Sequence, residues 1–162
     1  MIRPPRAIVL AATVGAALLL TGCGGGGGDD GEPPLYPVDY AETYQEVRDC
    51  RFSIEHDSVR MRVLASPDAV AAYNGRMAPF PIGSIILKEQ YDGGDTSCSG
   101  PIFNVTVMQK LAVGSSPATR DWTWQNVDEN QRPMTIDVER CTRCHTSCGS
   151  PPDGYDSTCT VP

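Results

Sequence analysis

The placement of its cysteines constrains this chain more than any other feature of its sequence. Seven occur among 162 residues. Cys23 closes an apolar N-terminal run, while Cys50, Cys98, Cys141, Cys144, Cys148 and Cys159 fall in the remainder, the last four crowded near the carboxyl end. The length allows one compact domain, small enough that cross-links or a bound group matter to its stability. Whether such cysteines signify disulfides, metal binding or thiol chemistry depends on the compartment in which the chain folds.

The N-terminus speaks to the compartment. Arg3 and Arg6 precede an apolar stretch from Ala7 to Leu20, and Leu20-Thr21-Gly22-Cys23 follows where a signal peptidase would cut. The stretch is shorter than the roughly 20 apolar residues a spanning helix needs. Leu-Thr-Gly-Cys resembles the bacterial lipobox, so residues 1–22 read as a lipoprotein signal and Cys23 as the lipidated residue of an exported protein. That protein would face the periplasm or the cell surface, held to the membrane by its lipid alone. Gly24 to Gly28 and the acidic, proline-bearing residues after them offer nothing to a core before Leu35, so residues 23–38 are expected to be a flexible tether. The glycine run follows no strand and leads into no Lys-Ser/Thr helix start, which argues against a phosphate-cradling loop.

Thirteen Lys and Arg against twenty Asp and Glu give a net charge of −7. Removing Arg3 and Arg6 with the signal makes the exported form more acidic still, a balance that repels a phosphate backbone and excludes nucleic acid as a natural partner.

The domain at residues 39–162 reads as α+β. Tyr40, Tyr44 and Val47 recur at helical spacing, predicting a short helix over residues 40–49. Val59-Arg60-Met61-Arg62-Val63-Leu64-Ala65 begins by alternating apolar and basic side chains, a strand pattern. Ser66-Pro67-Asp68 offers a capping hydroxyl, a first-turn proline and a first-turn carboxylate ahead of Ala69 to Tyr73, with Asn74-Gly75 as the stop of a second helix. Further strands are expected over residues 82–88, closed by the Asp92-Gly93-Gly94 turn, and over Ile102 to Leu111. Trp122 and Trp124, two apart, belong on one face of another strand. The connections between the later strands are too short for crossover helices, so the expected architecture is a mainly antiparallel sheet with short flanking helices.

Cys141-Thr142-Arg143-Cys144-His145 is a C-x-x-C-H sequence. That spacing suits attachment of a c-type haem, two thioethers at one porphyrin edge and an adjacent imidazole for the iron. Three other readings exist. Cys141, Cys144, His145 and Cys148 could be zinc ligands, although the second half of a zinc module is missing. Cys141 and Cys144 could be a thiol–disulfide pair, although the βαβ context is absent. All six cysteines beyond Cys23 could form structural disulfides. Asp137 and Glu139 lie close enough to the motif to serve as a base on the distal side of a haem, and equally suit the first turn of a helix carrying the motif. His56, among Glu55, Asp57 and Ser58, reads as an exposed polar residue rather than an iron ligand, and Met61 and Met108 as core rather than ligands.

Three segments in order, Pro81 to Glu89, Asp121-Trp122-Thr123-Trp124 and Cys141 to His145, resemble the cytochrome P-460 family, which includes the cytochromes c′-beta. The resemblance spans roughly Tyr40 to Cys148. It implies a mainly antiparallel β domain, usually dimeric, holding one covalent haem c with iron open on its distal side. It also implies a small nitrogen ligand or substrate such as hydroxylamine or NO, and electron transfer to a periplasmic carrier. In cytochromes P-460 proper a lysine of the Gly-x-x-x-x-Lys-Glu strand is bonded to the porphyrin, and Lys88, one of only two lysines in the chain, stands at the similar position. Once haem takes Cys141 and Cys144, Cys50, Cys98, Cys148 and Cys159 allow three pairings. Cys148 with Cys159, around a Pro/Gly loop, and Cys50 with Cys98 are preferred. The segment Gly154 to Cys159 departs from the aromatic-rich ending of many relatives.

Overall fold

The computed structural model describes residues 31–150 and 154–159. The expected signal at 1–22, the lipidation residue Cys23 and the glycine run lie outside the described residues. Six strands form one antiparallel sheet in chain order: β1 (Gln45–Ser53), β2 (Val59–Ala65), β3 (Ile85–Tyr91), β4 (Asn104–Lys110), β5 (Trp122–Asp128) and β6 (Pro133–Met134). Helices α1 (Tyr40–Thr43), α2 (Val70–Gly75) and α3 (Val138–His145) flank it. The fold is therefore α+β and mainly sheet, as the sequence predicts.

Strand β3 is buried at all seven positions and divides the core in two. Its odd members, Ile85 and Leu87, pack with Leu64, Val105, Val107 and Val127 under Tyr36 and Tyr40. Ile86, on the other face, packs with Val63, Ala65, Met108, Trp122 and Trp124 under α2 and Phe80. Leu87, Val107 and Val127 are fully buried, and each such side chain is worth about 1.5–3 kcal/mol of transfer free energy. The end of the expected tether joins this packing. Gln125 Oε1 accepts from the Leu35 amide at 2.8 Å, and Gln125 Nε2 donates to the Pro33 carbonyl at 3.1 Å.

Three expectations change. The helix predicted over 40–49 stops at Thr43, and the chain continues as β1, paired with β2 from Gln45↔Ala65 to Ser53↔Val59 through two register shifts. Tyr40 and Tyr44 keep their helical spacing, but from Gln45 the ladder hydrogen bonds to β2 outweigh a weak local preference. Ser66 does not cap α2 with its side chain. Its hydroxyl accepts from the Ile85 amide at 2.9 Å, fastening the end of β2 to the start of β3. The strand predicted over 82–88 begins three residues later, because Gly83 takes a left-handed φ of 89°.

Glu89, 1% exposed, sits on the Tyr40 face. It accepts from the Tyr40 hydroxyl at 3.0 Å, from the Tyr91 hydroxyl at 2.6 Å and from Arg62. Truncation strands two buried hydroxyls and a guanidinium, so Glu89→Ala should lower the unfolding free energy by about 2–3 kcal/mol in urea denaturation. A loss within about 0.5 kcal/mol would show that the network adds nothing.

Candidate functional site

The face of the sheet shared by Ile86 and Lys88 changes character along its length. At the α2 end it is apolar, but the next row across all six strands runs Arg48, Val63, Lys88, Thr106, Asn126 and Met134. Antiparallel register places these side chains on one face. Lys88 is 6% exposed, and burial lowers its pKa from 10.5 to about 8. Thr106 Oγ1 and Asn126 Oδ1, together with Trp124 Nε1, are buried without a hydrogen-bond partner among the described residues.

Helix α3 lies over this row. Asp137 is its N-cap, its side chain accepting from the Arg140 amide at 3.1 Å, and Glu139 occupies the first turn. Both acids therefore serve the helix start, one of the two roles the sequence leaves open. His145, in the last turn, is 7% exposed. Its Nδ1 lies 2.7 Å from the Ser157 carbonyl oxygen. A carbonyl only accepts, so Nδ1 carries the proton and Nε2 keeps its lone pair.

The loop that supplies this carbonyl is closed by the Cys148–Cys159 disulfide and by the Ser157 amide, which donates to the Cys148 carbonyl at 3.1 Å. Gly154 passes so close to Cys148 that a Cβ there would lie 2.6 Å from the Cys148 Cβ. A second disulfide joins Cys50 to Cys98. Of the three pairings open to the four cysteines, the structure takes this one. Cys141 and Cys144 remain free thiols. Because Cys148 is bonded to Cys159, the zinc reading loses a ligand, and among the described residues no group of three or more His, Cys, Asp or Glu side chains is arranged to hold a metal ion.

Two cavities of about 530 and 290 Å3 open between α3 and the sheet, and both are lined by His56, Lys88, Cys144 and His145. Cys141 lines the smaller one. His56 is the residue that the sequence reading misplaced. Instead of standing in solvent it is only partly exposed, with Nε2 3.2 Å from Lys88 Nζ and its ring centre 6.4 Å from that of His145. Nothing local signals this, because the turn holding His56 is polar and its approach to α3 depends on pairing of β1 with β2.

These residues suit a large, flat prosthetic group. The cavities have the scale of a cofactor site, the imidazole presents a free nitrogen, two unpaired thiols flank it, and stranded polar atoms await a partner. Fold and site thus define a small α+β protein built to enclose such a group. A model of the family Cytochrome P460 matches residues 40–151, and the chain belongs to this family. It is accordingly a cytochrome, and the group is haem. Comparison with curated proteins gave no match.

Burial holds His56 down at about 3 and His145 at about 4, below the ordinary 6.5 of histidine. In acid the unfolded chain takes up protons that the folded chain refuses, so stability is lost as pH falls below 6.5. Thermal melts of the haem-free protein from neutrality to about pH 4 should show a falling midpoint. His56→Gln should make the decline shallower, and an equal slope in both proteins would contradict the buried neutral state of His56.

Proposed function

We propose that this is a c-type cytochrome of the cell envelope, with haem held by thioethers to Cys141 and Cys144 and its iron bound by His145. What carries the reading is the Ser157 carbonyl fixed 2.7 Å from His145 Nδ1. A backbone partner on one nitrogen orients an imidazole and makes its other nitrogen a better metal ligand. The two free thiols beside it, in a domain whose other described cysteines are paired, supply the attachment points.

When bound, the haem provides one-electron chemistry and a coordination position for a small molecule. The nitrogen species suggested by the resemblance, hydroxylamine or NO, is the proposed ligand or substrate, with electrons passing to a periplasmic carrier. The chain's own residues contribute the enclosure. Lys88, Thr106 and Asn126 bring polar atoms to the sheet side of the cavity, and Trp124 brings an indole N–H whose partner is missing. Lys88 is the candidate for a bond to the porphyrin edge, as in cytochromes P-460 proper. Export by the signal at 1–22 and lipidation of Cys23 complete the proposal, and a homodimer is the assembly that the resemblance suggests.

One observation favours a second reading. The Lys88 amine already has a partner in His56 at 3.2 Å. If that contact persists in the holoprotein, the protein is a non-catalytic NO- or CO-binding cytochrome of the c′-beta kind.

A haem stain after denaturing electrophoresis should be positive, and Cys141→Ala combined with Cys144→Ala should abolish it. A stained double variant would refute the attachment sites. Lys88→Leu should shift the optical spectrum and end hydroxylamine oxidation if the amine is bonded to haem; an unchanged spectrum selects the gas-binding reading.

A further inference from the structure

His56 has no role in the proposal beyond its contact with Lys88, yet the structure holds it with care. It lies in the turn over residues 54–58 between β1 and β2, where Asp57 and Ser58 take left-handed φ values of 63° and 59°. Asp57 Oδ1 accepts from Arg140 Nη2 at 2.6 Å. Arg140 immediately precedes Cys141, so this ion pair ties the turn to the helix that carries the haem-binding motif. An exposed pair of this kind adds little stability, but with the pairing of β1 and β2 it holds the His56 turn against α3.

His56 goes opposite His145. The ring centres are 6.4 Å apart and the ring planes stand at 81°. Two imidazoles on opposite sides of one iron, each with a nitrogen–metal bond of about 2 Å and a ring centre about 1 Å further back, stand about 6 Å apart. A histidine that instead hydrogen-bonded a ligand already on the iron would be about 8–9 Å from the proximal ring. The observed separation matches direct coordination and is too short for an intervening ligand. Among the described residues no carboxylate lies within ion-pair distance of His56, and its hydrogen-bond partner is Lys88, itself a base. His145, for its part, has Nδ1 engaged by Ser157 and Nε2 left over.

We infer that His56 is the sixth ligand of the haem iron in the resting protein, opposite His145, so that a small molecule binds only by displacing it. The inference rests on the haem reading above and replaces its open iron with a gated one. The ring nitrogen that binds decides the fate of Lys88: ligation through Nδ1 leaves the contact with Lys88 in place, whereas ligation through Nε2 releases the amine.

The test uses the mature holoprotein and the spin state of its iron. Ferric wild-type protein should be six-coordinate and low-spin in its optical and electron paramagnetic resonance spectra. His56→Ala should be high-spin, should return to low spin on adding imidazole, and in the ferrous state should bind CO at least about tenfold faster, because the competent fraction is no longer limited by ligand loss. Arg140→Gln, which leaves His56 intact but frees its turn, should give a mixture of spin states, and it serves if His56→Ala fails to fold. High-spin wild-type protein with a positive haem stain would overturn the inference and leave the haem reading standing. So would a low-spin signal that survives His56→Ala and disappears in Lys88→Met. A negative haem stain in wild-type protein would remove the haem reading itself.

Discussion

Strand β3 is enclosed on both faces, yet three of its residues in succession, Lys88, Glu89 and Gln90, are polar. The rest of the molecule is arranged around satisfying them. Alternation sends Glu89 to one side and Lys88 and Gln90 to the other. On the Glu89 side the answer is local and complete: two tyrosine hydroxyls and Arg62 surround the carboxylate. On the Lys88 side it is incomplete, with Thr106 and Asn126 carrying stranded oxygens beside an amine whose partner is an imidazole. A buried polar group without a partner costs about 1–3 kcal/mol, and native proteins concentrate such costs where a ligand will repay them. The contrast between the faces separates a structural network from a binding surface.

The opposite wall of that surface depends on covalent closure. The Cys148–Cys159 disulfide and the Ser157 amide's bond to the Cys148 carbonyl present the Ser157 carbonyl to His145. The Ser157 carbonyl is the partner of the imidazole proposed to bind the iron, where a change in hydrogen bonding alters the basicity of the ligand and the electronic character of the iron.

Legibility in the sequence followed how local each determinant is. Val59 to Ala65 alternates and became β2 with those bounds. The C-x-x-C-H sequence and its acidic first turn became α3, since capping acts within one turn. The segment 45–53 was illegible as a strand because three apolar residues at helical spacing precede and overlap it, while its strand character comes from β2, on the far side of a turn. Ser66 satisfied a capping rule in sequence, but in space the Ile85 amide claimed its hydroxyl. His56 was missed for the same reason. Its neighbours Glu55, Asp57 and Ser58 describe a polar turn, and the contacts that bring it to the site, the pairing of β1 with β2 and the ion pair of Asp57 with Arg140 83 residues away, are not local.

Three segments remote in sequence therefore meet at the proposed haem site: the turn after β1, the middle of β3 and the end of α3. Each contributes one nitrogen base, His56, Lys88 and His145, and burial depresses the proton affinity of all three. Packing neutral or reluctantly charged bases together costs solvation that no carboxylate among them returns. A metal ion reverses that balance, because it competes for the imidazole lone pairs that burial has freed from protons. The site that is least favourable as protein alone is consequently the one that gains most when iron enters, and the binding energy of haem becomes folding energy for a small domain. The sheet and the two disulfides make the domain possible, and the cluster of bases is what suits the proposed site to a haem.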